Sequence, residues 1–364
     1  MQRRRRQRLL AVGLPLMAAA LLLAACGSSS SSSSSTSNTP SCNAASSKLS
    51  GTLNGSGSTF QTVYQQSAIQ CFKTIQPNMT VNYGSGGSGK GRTDLASGVV
   101  NYAGSDSPIP QSEQANFKGP VLYFPTVIAP ITISYNLSGV SNLKLSGPVI
   151  AKIFSAQVTT WNDPAITDLN KGVTLPSTKI TVARRSDSSG TTQNFSDFLV
   201  KSAPGVWTLG SASTISWPAS TVGGNGNGGV ASIIKSTDGA VGYVDYPDAK
   251  ASGLVFASVQ NMAGNFIAPS QQSATSAASH ATIQPNLTFT AIWAPGADSY
   301  PITYQSWVLV YQSQSGDKGQ LLQAWVGYLV GAGQQLLPGL NYAPLPSSLQ
   351  SMTEAQVSKI GATS

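Results

Sequence analysis

Three glycine- and serine-rich loops, each set between a strand-like run and a helix-like one, constrain this 364-residue chain more than any other feature. They are Gly55-Ser56-Gly57-Ser58-Thr59-Phe60, the run from Gly84 to Gly91, and Ser188-Ser189-Gly190-Thr191. Residues 48–53, 79–83 and 179–183 read as the strands that lead in, and residues 59–75, 92–97 and 193–201 as the helices that follow. Further strands are expected at 101–104, 130–135, 240–244 and 306–311, and a further helix at 319–330. Strands alternating with helices predict an α/β fold. Ser58 and Gln61 fit a capping box at the start of the first helix. About 310 ordered residues exceed what one core usually holds, so two lobes are expected.

A helix N-terminus carries unpaired backbone N–H groups and the positive end of the helix dipole. Glycine lets that backbone approach a ligand closely, and Ser and Thr hydroxyls add donors. One such loop is an ordinary helix cap. Three of them at strand ends suit a tetrahedral oxyanion. Arg185, in Arg184-Arg185-Ser186-Asp187, offers a guanidinium fork that Asp187 can hold in place. Asp106, in Ala103-Gly104-Ser105-Asp106, is the discriminating residue. A carboxylate beside an anion pocket repels the anion unless the ligand brings a proton. Phosphate near neutral pH carries an O–H and sulfate carries none, so an ionised Asp106 favours phosphate. Sites built to bond a hydroxyl reject ligands that lack it by roughly 10⁴–10⁵.

The N-terminal segment bears on location. Arg3 to Arg6 and Arg8 precede an apolar run at 9–23, which is too short and wrongly flanked to span a membrane. Leu23-Ala24-Ala25-Cys26 resembles a bacterial lipoprotein cleavage box, with Cys26 as the lipid attachment point. Residues 1–25 then form a signal peptide and 26–47 a Ser-rich flexible tether. Removing the signal takes five arginines and no acids, so the formal charge falls from +8 to +3. The remaining charge gives no basic stripe for nucleic acid. Cys42 and Cys71 are an even pair after lipidation, which suggests a disulfide, the alternative being two separate thiols. The single histidine, His280, argues against a zinc site or a Ser-His-Asp hydrolase and is expected to be exposed. No metal or cofactor is expected. The 84–91 loop nearly matches a P-loop, but Gly91 stands where a Mg²⁺-binding hydroxyl is required. Its GxGxxG spacing is equally weak in a glycine-rich chain.

Taken together, GSGSTF (55–60), VNYGSGGSGKG (81–91), AGSDSPI (103–109), YFPTVIAPI (123–131), WNDPAI (161–166), RRSDSSGTT (184–192), GAVGYVDY (239–246), YPITYQSWVLV (300–310) and YAPLPSS (342–348) resemble the PstS family. These are the substrate-binding proteins of bacterial high-affinity phosphate ABC importers. The resemblance implies a type II periplasmic binding protein fold, with a ligand cleft between two α/β lobes joined by two crossing strands near 129–133 and 300–303. Lobe I would be 48–128 plus 304–364, and lobe II 129–303. The implied phosphate shell is Ser58, Thr59, Phe60, Ser88, Asp106, Arg185, Ser189, Gly190 and Thr191, with Asp187 bracing Arg185. Ser85 competes with Ser88, which its spacing to Asp106 favours. The implied partners are inorganic phosphate and the permease subunits of the importer. The implied protein is a monomer, held by its lipid anchor on the extracytoplasmic face of the cell membrane, and not an enzyme. Alternatives are a receptor for sulfate or molybdate, and a secreted phosphatase-like enzyme.

Overall fold

The computed structural model describes residues 49–361. The expected signal and tether, with Cys26 and Cys42, lie outside the described residues. β1 (Gly51–Gly57), α1 (Thr62–Ile75), β2 (Met79–Ser85), α2 (Ser88–Ser97) and β3 (Tyr102–Ser105) open the fold, with β2 and β3 parallel to β1 on either side. After β4 (Val121–Tyr135) come β5 (Lys144–Leu145), α3 (Gly147–Phe154) and α4 (Pro164–Thr167). Then follow β6 (Thr181–Arg185), α5 (Gly190–Ser202), β7 (Val222–Gly224), α6 (Gly226–Ser236), β8 (Ala240–Asp245) and α7 (Tyr246–Ala251). β9 (Val255–Phe256), β10 (Ser258–Gln260), β11 (Phe266–Ile267) and α8 (Gln271–Ser279) lead to β12 (Thr303–Tyr311), α9 (Lys318–Val330) and α10 (Ser347–Gln356). The main sheet runs β2-β1-β3-β12-β4-β8-β6-β7, with β9 beside β4, and β11-β10-β5 form a small second sheet.

β4 organises this arrangement. It lies antiparallel to β12 from Val121 to Pro130, then changes partner and lies antiparallel to β8 from Ile131 to Tyr135. One strand thus joins a half built on β1, β2 and β3 to a half built on β6, β7 and β8. All but its first two residues are buried, as befits a strand covered on both faces. The sequence pattern predicts a strand only at 130–135, whereas β4 starts at Val121 and carries both Pro125 and Pro130. Both sit where a missing N–H is tolerated. Pro130 ends the pairing with β12, and Pro125 lies at a register shift opposite Ser306 and Trp307. That shift leaves Thr126 bulged, with its hydroxyl on the Ser306 carbonyl at 3.2 Å.

Two other expectations are corrected. The first helix begins at Thr62, and no capping box forms at its start. The Gln61 amide is drawn away by tertiary partners, donating to Ser306 Oγ at 2.6 Å and the Trp307 carbonyl at 2.8 Å, while the Ser58 hydroxyl has no partner. The second helix begins at Ser88, so Gly89 and Gly91 lie inside it. Gly91 is needed there for packing, since a Cβ would stand 2.7 Å from Gly57 Cα and 2.8 Å from the Ser56 carbonyl. Cys71 is buried in α1 and disulfide-bonded, but its expected partner lies outside the described residues.

Aromatic packing then fixes the strand ends. In one half Phe60 stacks on Tyr304 with centroids 4.1 Å apart, and the Tyr342 hydroxyl donates to the Phe60 carbonyl at 2.6 Å. In the other, Phe195 stacks on Tyr243 at 4.4 Å beside Phe154 and Trp217. Trp161 and Trp207 are buried in the same core. The Tyr243 hydroxyl accepts the Arg185 backbone N–H at 3.1 Å and shares a 2.7 Å hydrogen bond with Thr192 Oγ1. Tyr243→Phe strands both groups and should cost about 1–3 kcal/mol. Urea unfolding should show a lower midpoint at unchanged slope.

Candidate functional site

The parallel strands of the two halves run in opposite senses, β1 to β3 along β4 and β6 to β8 against it, so their carboxyl ends point at one another, and the candidate residues follow those ends. Ser58, Thr59 and Phe60 follow β1, Ser88 opens α2 after β2, Asp106 follows β3, and Arg185 closes β6 just before Ser189, Gly190 and Thr191 open α5. Ligands of open α/β sheets sit at the carboxyl ends of strands. Here the two halves meet over those ends. A Cβ on Gly190 would stand 2.4 Å from Ser88 Oγ and 2.8 Å from Asp106 Oδ2, so only glycine allows the approach. The Gly89 N–H also donates to the Ser188 carbonyl at 3.1 Å.

Asp106 is 2% exposed. One carboxylate oxygen accepts from Ser306 Oγ at 2.5 Å, and the other from Ser88 Oγ at 3.1 Å. The Gln61 amide occupies the Ser306 oxygen and so directs the Ser306 proton to Asp106. Burial pushes the Asp106 carboxyl above the usual carboxylate range, and Ser306, Ser58, Arg185 and Ser88 only partly offset this. Ser58 acts through proximity, without a hydrogen bond of good geometry. Ser85, the alternative to Ser88, is exposed at the end of β2.

Around this acceptor stand hydroxyls whose oxygens are already used. Thr59 Oγ1 accepts from the Asn227 side-chain amide at 3.1 Å. Ser189 caps α5 by accepting the Thr192 N–H at 3.1 Å. Thr191 Oγ1 accepts from Arg185 Nη1 at 3.3 Å and from the Asn227 amide at 3.4 Å. Each keeps its proton to donate, and Ser58 adds a buried hydroxyl without a partner. Arg185 is 3% exposed and forms a two-pronged pair with Asp187, Nε to Oδ1 at 2.8 Å and Nη2 to Oδ2. Burial disfavours the Asp187 charge, but the Arg185 hydrogen bond and charge outweigh it and hold the carboxyl below its ordinary value, helped by the Gly226 N–H. The arrangement is a compact set of O–H, N–H and guanidinium donors around one buried acceptor. It fits a small anion that carries a proton.

The PBP superfamily domain matches residues 43–332. Phosphate-binding protein PstS 2 of Mycobacterium tuberculosis is 34% identical over 322 residues, covering 85% of this chain and 87% of its own. Phosphate-binding protein PstS of Xylella fastidiosa is 34% identical over 281 residues and covers 76% of each. A high-affinity periplasmic phosphate-binding protein (PfluDING) solved with bound phosphate superposes with a TM-score of 0.70 at 21% identity, over 84% of this chain and 94% of its own. The chain belongs to the PstS family.

Several residues of this PstS-family site have little or no signal in the sequence. Ser306 and Gln61 hold Asp106, and Asn194 donates to the Asp106 carbonyl at 2.7 Å. Asn227 opens α6 within the glycine-rich run 223–229, which follows the same strand–loop–helix pattern as the three loops and could have been found by it. Ser306 had a weaker signal, as a small polar residue inside the apolar run of β12. The cations beside the second loop turn away. Lys90 pairs with Asp94 at 2.6 Å. Arg92 pairs with Glu113 at 2.7 Å and donates to the Ser105 and Ser107 hydroxyls, supporting the Asp106 loop from behind. His280 is exposed, and among the described residues no three metal-ligating side chains cluster. Gly190→Ala should keep the halves apart. The Gly89 amide, followed by hydrogen exchange, should then lose its protection while amides within β4 keep theirs.

Proposed function

We propose that this chain binds inorganic phosphate outside the cytoplasm and delivers it to the permease of a phosphate ABC importer. The observation that carries this is Asp106, a buried carboxylate among donors, which suits an anion bearing an O–H. Family membership and the phosphate-binding names of the relatives support the same reading. The proposed shell is Ser58, Thr59, Phe60, Ser88, Asp106, Arg185, Ser189, Gly190 and Thr191, with Asp187 bracing Arg185. The proposed lobes are 48–128 plus 304–364, and 129–303. β4 and the segment entering β12 join them, and the Ile131 N–H meets the Ile302 carbonyl at 2.7 Å at that crossing. An anion touching both lobes stabilises their closed arrangement. The monomer acts as a receptor, not an enzyme, and is tethered through a lipid on Cys26.

Asp106→Asn offers sulfate a donor where the parent offers an acceptor. The phosphate-over-sulfate ratio should fall roughly 10- to 100-fold, matching about 1.5–3 kcal/mol for one charged hydrogen bond. Competition calorimetry reads this, and an unchanged ratio refutes the assignment. The parent should show a related pH effect. Asp106 has a raised folded pKa, so its ionised form is present above that value and is lost as pH falls through it. Discrimination against sulfate should shrink on acidification, because a protonated Asp106 can donate to sulfate. The lipid anchor has its own test. Cys26→Ser should move the protein from the membrane fraction to the soluble fraction and remove incorporation of labelled fatty acid.

A further inference from the structure

Two asparagines stand beside the anion site, Asn194 one turn into α5 and Asn227 in the first turn of α6, both in one half and each reaching the other half. Asn194, in α5, is 4% exposed. Its Nδ2 donates to the Asp106 carbonyl at 2.7 Å, across the cleft, and to the Gly190 carbonyl at 2.9 Å, within its own half. Asn227, in α6, is fully buried. Its Nδ2 donates to Thr59 Oγ1 at 3.1 Å, across the cleft, and to Thr191 Oγ1 at 3.4 Å, within its own half. Each amide is therefore oriented by its own half before it meets the other. Each crosses to a residue of the proposed phosphate shell.

We propose that Asn194 and Asn227 are positioning residues that latch the two halves together and set how fast bound phosphate leaves, without choosing the ligand. This rests on the phosphate reading above. The latch is neutral, so it adds no charge to a cleft that already holds Asp106 and Asp187, and salt does not screen it. Asn194 bonds the Asp106 backbone carbonyl and leaves the discriminating carboxylate untouched. Asn227 takes up the Thr59 and Thr191 oxygens and leaves their protons for the anion. Loss of either amide removes a contact that exists only when the halves meet, so the effect falls on dissociation.

The test uses Asn194→Ser, Asn227→Ser and the double variant, with serine chosen to keep a small polar side chain at each buried position. Stopped-flow release of phosphate should quicken about 5- to 10-fold for each single variant, as expected for one neutral hydrogen bond. Association should change less than about twofold, and the phosphate-over-sulfate ratio should stay at the parent value. Small-angle scattering of the ligand-free proteins gives a readout independent of phosphate. The double variant should have a larger radius of gyration than the parent. Unchanged release from folded variants overturns the proposal, as does a shifted phosphate-over-sulfate ratio. A parent that binds no phosphate sinks the functional reading, and the scattering arm still decides the latch: an unchanged radius rejects it.

Discussion

Asp106 is an ionisable group held out of water, and much of the surrounding structure serves to keep it there. A buried carboxylate is costly unless its oxygens are hydrogen-bonded. Here the bonds come mainly from hydroxyls. Ser306 and Ser88 donate to it, Gln61 turns the Ser306 proton toward it, and Arg92 supports the loop from behind through Ser105 and Ser107. The bulge at Thr126 lies opposite the Ser306 segment, and bulges commonly re-aim side chains beside functional sites. The carboxyl nevertheless remains above its ordinary pKa.

The balance of charge explains how an anion can enter such a site. Arg185 is matched by Asp187, so it brings no unpaired positive charge to the cleft. Attraction must then come from dipoles: the N-termini of α2, α5 and α6, and hydroxyls whose oxygens are already engaged. This fits a chain with only 9% charged residues. On the proposed reading, such a site would discriminate by the positions of protons and do little long-range electrostatic steering.

The sequence made some of this readable and hid the rest for physical reasons. The Ser/Gly loops were legible because strand–loop–helix junctions need glycine and small hydroxyl residues whatever their neighbours. Asp106 and the Arg185–Asp187 pair were legible because a carboxylate near an anion pocket repels the anion unless it accepts a proton from it or neutralises a cation. The full length of β4 was not, since Pro125 and Pro130 break a strand in isolation and are tolerated only at a bulge and a change of partner. The capping box at Ser58 and Gln61 was misread because local spacing cannot show that a residue 245 positions away takes the glutamine. Asn194, Asn227 and Ser306 gain their roles only once distant segments meet. Family resemblance supplied the step from a proton-bearing oxyanion to phosphate.

Selection of a protonated oxyanion by Asp106 can be read from calorimetric titration of the mature protein with phosphate at neutral pH, with and without a roughly hundredfold excess of sulfate. Phosphate affinity and heat should be the same in both titrations. Displacement of phosphate by sulfate at equal concentration would contradict this role of Asp106.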